Sequence, residues 1–148
     1  MKLKFRKLDE NNEEDVVQFN ELMDDLTIHA KNKRLLMEKI KEINSCEHSF
    51  LMIAEDIEKS KICGSLLAII FGDFCGECRP IMLIENVIVH HTYRRKGIGK
   101  KMFCEIEKWG KNRDINYVIL CSGLNRKEAH DFYNHIGYEE MKGFKKYL

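Results

Sequence analysis

Arg94-Arg95-Lys96-Gly97-Ile98-Gly99-Lys100 is the part of this sequence whose residue types and spacing most directly suggest chemistry. A glycine lacks Cβ, so the backbone can turn tightly and bring its N–H groups close to an anion. A helix opening at that point adds unpaired donors and the positive end of its dipole. Four cations, Arg94, Arg95, Lys96 and Lys100, stand at the same place. A diphosphate matches that set of donors. The order differs from the Gly-x-x-x-x-Gly-Lys-Ser/Thr of a Walker loop and from the Gly-x-Gly-x-x-Gly of a dinucleotide turn. A Gly-x-Gly pair alone also fits a solvated basic turn whose glycines only permit close packing. A strand before it, an amphipathic helix after it and the four cations favour the anion site.

The elements that would position this turn follow from periodicity. Ile81–Val89 is a β-rich run, and Gly97–Arg113 carries Ile98, Met102, Phe103, Ile106 and Trp109 at helical spacing. Upstream, Lys2–Leu8 alternates as a strand. Val16, Phe19, Leu22, Met23 and Leu26 predict a helix, and Leu35, Leu36, Lys39, Ile40 and Ile43 a second one. Phe50–Ala54 and Ile62–Phe71 read as antiparallel strands joined by the charged turn Glu55–Lys61. Downstream, Tyr117–Cys121 is a short strand, Glu128–Ile136 a helix stopped by Gly137, and Tyr138–Tyr147 a last extended segment. The order βααββ followed by βαβαβ predicts an α/β (α+β) fold: one mixed, mostly antiparallel sheet flanked by helices.

A chain of 148 residues that is 44% hydrophobic fits one domain spanning residues 1–148, with a core that needs no metal or disulfide. Net charge is +1, from 25 basic and 24 acidic residues, which leaves the whole molecule no electrostatic reason to seek nucleic acid or an anionic membrane. No apolar run is long enough to cross a bilayer, and Met1–Arg6 reaches charges too early for a signal peptide. Six cysteines are therefore expected as reduced thiols in a cytoplasmic protein. Cys75-Gly76-Glu77-Cys78 has the spacing of half a zinc site or a redox pair. No second Cys/His pair stands at a matching distance, so no metal is expected and the segment reads as a turn with two thiols.

Arg94-x-x-Gly97-x-Gly99 after the strand Ile84–Val89 resembles the signature of the GNAT family of N-acetyltransferases. Ala129-His130-Asp131-Phe132-Tyr133-Asn134-His135-Ile136-Gly137-Tyr138 resembles that family's second motif, an alanine, then Phe-Tyr, then Gly and an aromatic. Ser122 through Tyr133 is similar to the Ser-x-x-x-Arg-x-x-Ala-His-x-Phe-Tyr of a subset akin to aminoalkylphosphonate and aminoglycoside acetyltransferases. The resemblance implies an acyl-CoA N-acyltransferase fold in which the parallel strands Ile84–Val89 and Tyr117–Cys121 splay apart. It implies acetyl-coenzyme A as co-substrate, with the pantetheine arm lying between those strands. Backbone groups of Val87, Ile88 and Val89 would pair with that arm, and one N–H would polarise the thioester carbonyl. Arg94, Arg95, Lys96, Gly97, Ile98, Gly99 and Lys100 would hold the diphosphate. Many members carry a coenzyme-contacting Asn three residues before the alanine; Arg126 stands there, with Asn125 beside it, and both are implied as contacts.

Direct transfer needs a base for the amine and an acid for the departing thiolate. Tyr133 matches the family's tyrosine and is the acid candidate, against the reading of a core aromatic. Glu85, on the strand that presents the thioester, is the base candidate. Alternation puts Glu85, Val87 and Val89 on one face without deciding whether that face meets the cleft. His90 and His91 are further bases at the strand end, or simply finish a loop. His130 either packs or orients substrate, and Cys121 is expected as a buried structural thiol. The acceptor is expected to be a small-molecule amine, in a pocket built by Asp24–Lys41 and Phe71–Ile81. A protein lysine or N-terminus, needing an open groove along Leu26–Ile43, and a coenzyme-binding module without turnover are the alternatives. A homodimer pairing Gly143–Leu148 between copies is an available arrangement.

Overall fold

The computed structural model describes residues 1–26 and 32–148. The sheet has five strands in chain order: β1 (Leu3–Lys7), β2 (Ser49–Asp56), β3 (Lys61–Phe71), β4 (Ile81–Val89) and β5 (Val118–Leu120). The first four pair antiparallel and β5 joins β4 in parallel. Helices α1 (Glu13–Asp24) and α2 (Lys33–Ser45) lie between β1 and β2 in the chain, α3 (Ile98–Lys111) follows β4, and α4 (Lys127–His135) follows β5. Asn12 and Asn32 start the first two helices, each accepting two backbone N–H groups on its side-chain oxygen.

The two sheet faces carry two cores. On one, Phe19, Leu22, Met23 and Ile40 of α1 and α2 meet Leu51, Ile53, Leu67 and Ile88. On the other, Ile98, Met102, Phe103 and Ile106 of α3 meet Met52, Leu66, Met82 and Ile84, with Phe132 and Tyr133 of α4 packed against them. The spacing of those apolar residues is what the sequence displays. Arg6 and Asp15 tie β1 to α1, with Nη2 2.8 Å from Oδ1, and Arg6 Nε reaches Glu55 Oε2 at 2.7 Å.

Residues 139–148 form no strand, so the predicted last extended segment Tyr138–Tyr147 does not join the sheet as a sixth strand. The segment is exposed and rich in charge, and it buries too little apolar surface in a single chain to hold itself against the sheet. The part of the predicted acceptor region at 27–31 lies outside the described residues.

Candidate active site

Two backbone features of β4 shape the site. Leu67 pairs with Glu85 and Ser65 with Ile88, so two residues, Asn86 and Val87, oppose Leu66 alone. Asn86 has a φ of 53°, the mark of a bulge. The extra residue reverses the alternation. Glu85, opposite Leu67, faces the α1–α2 core, whereas Val87 and Val89 join the α3–α4 core. The expectation that Glu85, Val87 and Val89 share one face is therefore corrected, because uninterrupted alternation assumes no bulge.

The second feature is an opening. β5 pairs with β4 only from Met82 to Ile84, opposite Val118 to Leu120. Among the described residues, Glu85 through Val89 continue β4 with no strand paired on that side, so the two parallel strands splay. Ser122, just past β5, carries a buried Oγ with no hydrogen-bond partner.

At the end of β4 the chain makes a short 3-10 turn, His91–Tyr93, and enters α3. Tyr93 is buried and its hydroxyl donates to Asp56 Oδ2 at 3.3 Å, which pins the turn to the end of β2. Gly97 is the residue before α3, with a φ of 74° and no side-chain cap on the helix. The first-turn N–H groups of Ile98, Gly99 and Lys100 thus have no intrahelical partner. Gly99 serves a different need: a Cβ there would stand 3.1 Å from Phe132 Cζ. The glycine lets α4 pack on the first turn of α3.

The cations divide. Arg94 Nε donates to the Val89 carbonyl at 3.0 Å, and Lys96 Nζ donates to the Thr92 carbonyl at 2.9 Å while lying 5.0 Å above the Tyr93 ring. Arg95, in the left-handed region at φ 59°, stays 91% exposed beside Glu128, and Lys100 is also exposed. Uncapped donors, a left-handed glycine and exposed cations at one helix start fit a diphosphate. An open strand edge beside them fits an extended arm carrying amides.

Tyr133 is half-buried against Phe103, Phe132 and Tyr138, with ring centroids 5.4 to 6.3 Å away. Burial pushes its phenol above the ordinary value; the Arg126 charge opposes this and the Glu85 charge adds to it. Arg126 and Glu85 are thereby both within electrostatic reach of Tyr133. Asn125 and Arg126 are exposed in the turn before α4. His130 Nε2 lies 3.0 Å from the Gly123 carbonyl and braces that turn. The α4 helix ends in a Schellman arrangement, Tyr138 N–H to Tyr133 carbonyl and Gly137 N–H to Asn134 carbonyl, with Gly137 at φ 95°.

Other residues marked in the sequence fall elsewhere. Cys75 and Cys78 bracket a tight turn, joined by a 3.1 Å bond from Cys78 N–H to the Cys75 carbonyl, and both thiols are exposed and free. Cys121, just past β5, is exposed and not the buried thiol expected, since among the described residues β5 is the edge strand of the sheet. His90 and His91 lie just past the end of β4, at the turn that leads to α3. Asp25, which nothing in the sequence singled out, meets His91 there. A depression lined by His48, Phe71, Pro80 and Arg113 sits by the start of β4, away from the glycine turn.

The model of the acetyltransferase (GNAT) family matches residues 11–138. Glucosamine 6-phosphate N-acetyltransferase 1 of Dictyostelium discoideum is 29% identical over 113 residues, 74% of this chain and 71% of the relative. Aminoglycoside N(6')-acetyltransferase type 1 of Salmonella typhimurium is 22% identical over 105 residues, 68% of this chain and 70% of the relative. The crystal structure of glucosamine-6-phosphate N-acetyltransferase from Arabidopsis thaliana superposes with a TM-score of 0.85 at 24% identity, covering 100% of this chain and 99% of that one. That likeness extends the agreement to the fold. Since the matched stretch contains the glycine turn and the Phe-Tyr helix in one continuous alignment, the chain belongs to the GNAT acetyltransferase family.

Proposed function

We propose that the protein transfers an acetyl group from acetyl-coenzyme A directly to a primary amine of a small molecule. The observation that carries this reading is the open edge of β4 from Glu85 to Val89, running into the uncapped start of α3. When bound, acetyl-coenzyme A supplies an acyl group activated as a thioester. Backbone groups of Val87, Ile88 and Val89 pair with the pantetheine arm as a neighbouring strand would. One N–H of this stretch would polarise the thioester carbonyl and stabilise the charge that grows on its oxygen. The N–H groups of Ile98, Gly99 and Lys100, with Arg95 and Lys100, hold the diphosphate. Arg94 and Lys96 shape the loop through their carbonyl contacts. Asn125 and Arg126 flank the coenzyme from the turn before α4.

Tyr133, like any phenol, holds a proton throughout the neutral range, and burial shifts its loss further into alkaline solution. It is the group that would deliver a proton to the leaving sulfur. Glu85 takes the proton of the attacking amine, directly or through water. Its position on the face of α1 and α2 fits this role if the acceptor sits by the expected region Asp24–Lys41, which overlaps the first part of α2. Most of the acceleration comes from holding amine and thioester together and polarising the carbonyl.

The relatives named for glucosamine 6-phosphate and aminoglycosides support a small amine as acceptor. We place the protein in the cytoplasm, in keeping with six free cysteines; no helix among the described residues is long and apolar enough to cross a membrane. We also propose a homodimer through the C-terminal segment. The function is tested by calorimetric binding of coenzyme A, followed by a thiol-release assay against a pooled amine library with mass detection of acetylated products. Coenzyme binding with release on at least one amine is the expected result; absence of both removes the reading.

A further inference from the structure

Asp25, just past the end of α1, meets His90 and His91, just past the end of β4. Asp25 Oδ2 lies 2.8 Å from His91 Nδ1 and also accepts the His91 backbone N–H at 3.4 Å. The two imidazoles stack with centroids 4.3 Å apart and 26° between their planes. One ligand atom from each of the three residues lies within 4.8 Å of the other two. The transfer proposed above gives none of these three side chains a role.

We propose that Asp25, His90 and His91 form a binding site for a divalent transition-metal ion of the zinc class. Two imidazoles and one carboxylate are the donors that borderline ions select, whereas magnesium and calcium take oxygen ligands almost throughout. The carboxylate and the His91 ring already face each other across a proton. Zinc bonds to nitrogen and oxygen of about 2.0–2.2 Å place two tetrahedral ligand atoms roughly 3.3 Å apart, so an ion replaces that proton with a small widening. His90 Nδ1 is turned to Thr92, 2.9 Å from Oγ1 and accepting the Thr92 backbone N–H at 3.3 Å, which orients the ring and leaves Nε2 as its ligand atom for an ion. His91 is 60% exposed at the side chain and Asp25 29%, which gives an ion an entry path and leaves a fourth position for water. Occupancy fastens the end of α1 to the exit of β4, directly ahead of the glycine turn.

The test starts with zinc ion titrated calorimetrically into the unsubstituted chain, and into Cys75→Ser/Cys78→Ser to remove the exposed thiol pair as a competitor. Binding of about one equivalent that survives the cysteine changes, and that weakens at least tenfold in Asp25→Asn, His90→Ala and His91→Ala, is expected; magnesium ion gives no heat. Histidine ring NMR on the unsubstituted chain guards against a variant that fails to fold, and the His90 and His91 signals shift on zinc addition. No zinc binding, binding lost with the two cysteines, binding unchanged in the histidine variants, equal magnesium binding, or unmoved His90 and His91 signals overturns the proposal.

Discussion

A Cβ at Gly99 would press on the Phe132 ring at 3.1 Å, whereas one at Gly97 would meet nothing within 4 Å. The two glycines of one short motif therefore answer to different forces. Gly97→Ala forces a Cβ residue to keep φ at 74°, a conformation costing roughly 1–2 kcal/mol, or to abandon it and reorient the first-turn donors. Coenzyme A affinity should fall several-fold with little change in the packing of α4. Gly99→Ala instead overpacks the α3–α4 contact, at about 1–3 kcal/mol, and should appear first as a lower melting temperature. Calorimetry and thermal denaturation on both variants separate the two effects; the opposite pattern would reverse the roles. Tyr133→Phe keeps the ring among Phe103, Phe132 and Tyr138 and deletes only the proton donor. Turnover should drop about a hundredfold or more with coenzyme affinity nearly intact. Its raised pKa means the wild type keeps this proton well into alkaline solution, so the alkaline limb of the rate profile should be absent or displaced in the variant. Equal turnover in both proteins would remove Tyr133 from the mechanism.

At the scale of elements, β1 is held by the Arg6 guanidinium shared between Asp15 and Glu55. Asp15 is 4% exposed; burial pushes its carboxyl up, but bonds from Arg6 and the Asp9 N–H more than offset this and hold it below the ordinary value. Arg6→Met leaves that carboxylate buried without its partner, and urea denaturation at neutral pH should show a loss of about 3–5 kcal/mol. A folded-state pKa below the unfolded value of about 3.9 gives stability that is complete above that value and vanishes as pH falls through the depressed one. The gap between wild type and variant should accordingly narrow in acid; a gap constant down to strongly acid pH would deny the ion pair its role. Neither this pair nor the bulge was legible in the sequence. Arg6 and Asp15 are ordinary charges in a row of charges, and only the packing of α1 on β1 brings them together. Periodicity placed β4 at Ile81–Val89 and α3 within two residues, because burial on two helical faces imposes those spacings. It placed Glu85 with Val87 and Val89, since one inserted residue at Asn86 leaves the types of its neighbours unchanged while reversing their faces. The glycine turn was readable for the opposite reason: its chemistry sits in consecutive residues, whereas Asp25 and His91 are joined only by the fold.

For the whole molecule, the C-terminal segment is the part that a single chain does not explain. Phe144 is 89% exposed and Tyr147 83%, with Met141 and Leu148 also bare. Among the described residues β5 ends the sheet, with no strand on its outer side. Unpaired strand edges and exposed aromatic side chains are both surfaces that a second copy can cover. A two-fold arrangement presents each feature twice, so every edge meets a segment and every segment an edge. Each buried aromatic brings about 150–250 Å², and two from each copy, with Met141, Leu148 and the paired backbone, approach the roughly 1,200 Å² of a stable interface. Lys145 lies in this segment near Tyr147, and its charge also senses Glu85 and Cys121. The covered edge would therefore adjoin the place where the acetyl group moves. Sedimentation velocity at micromolar concentration should show a dimer for the unsubstituted chain and a monomer for Phe144→Asp/Tyr147→Asp. The melting temperature should rise with concentration in the former alone, because association stabilises only the folded state. If the unsubstituted chain sediments as a monomer at every concentration, the segment has no second copy to meet and the proposed dimer is discarded.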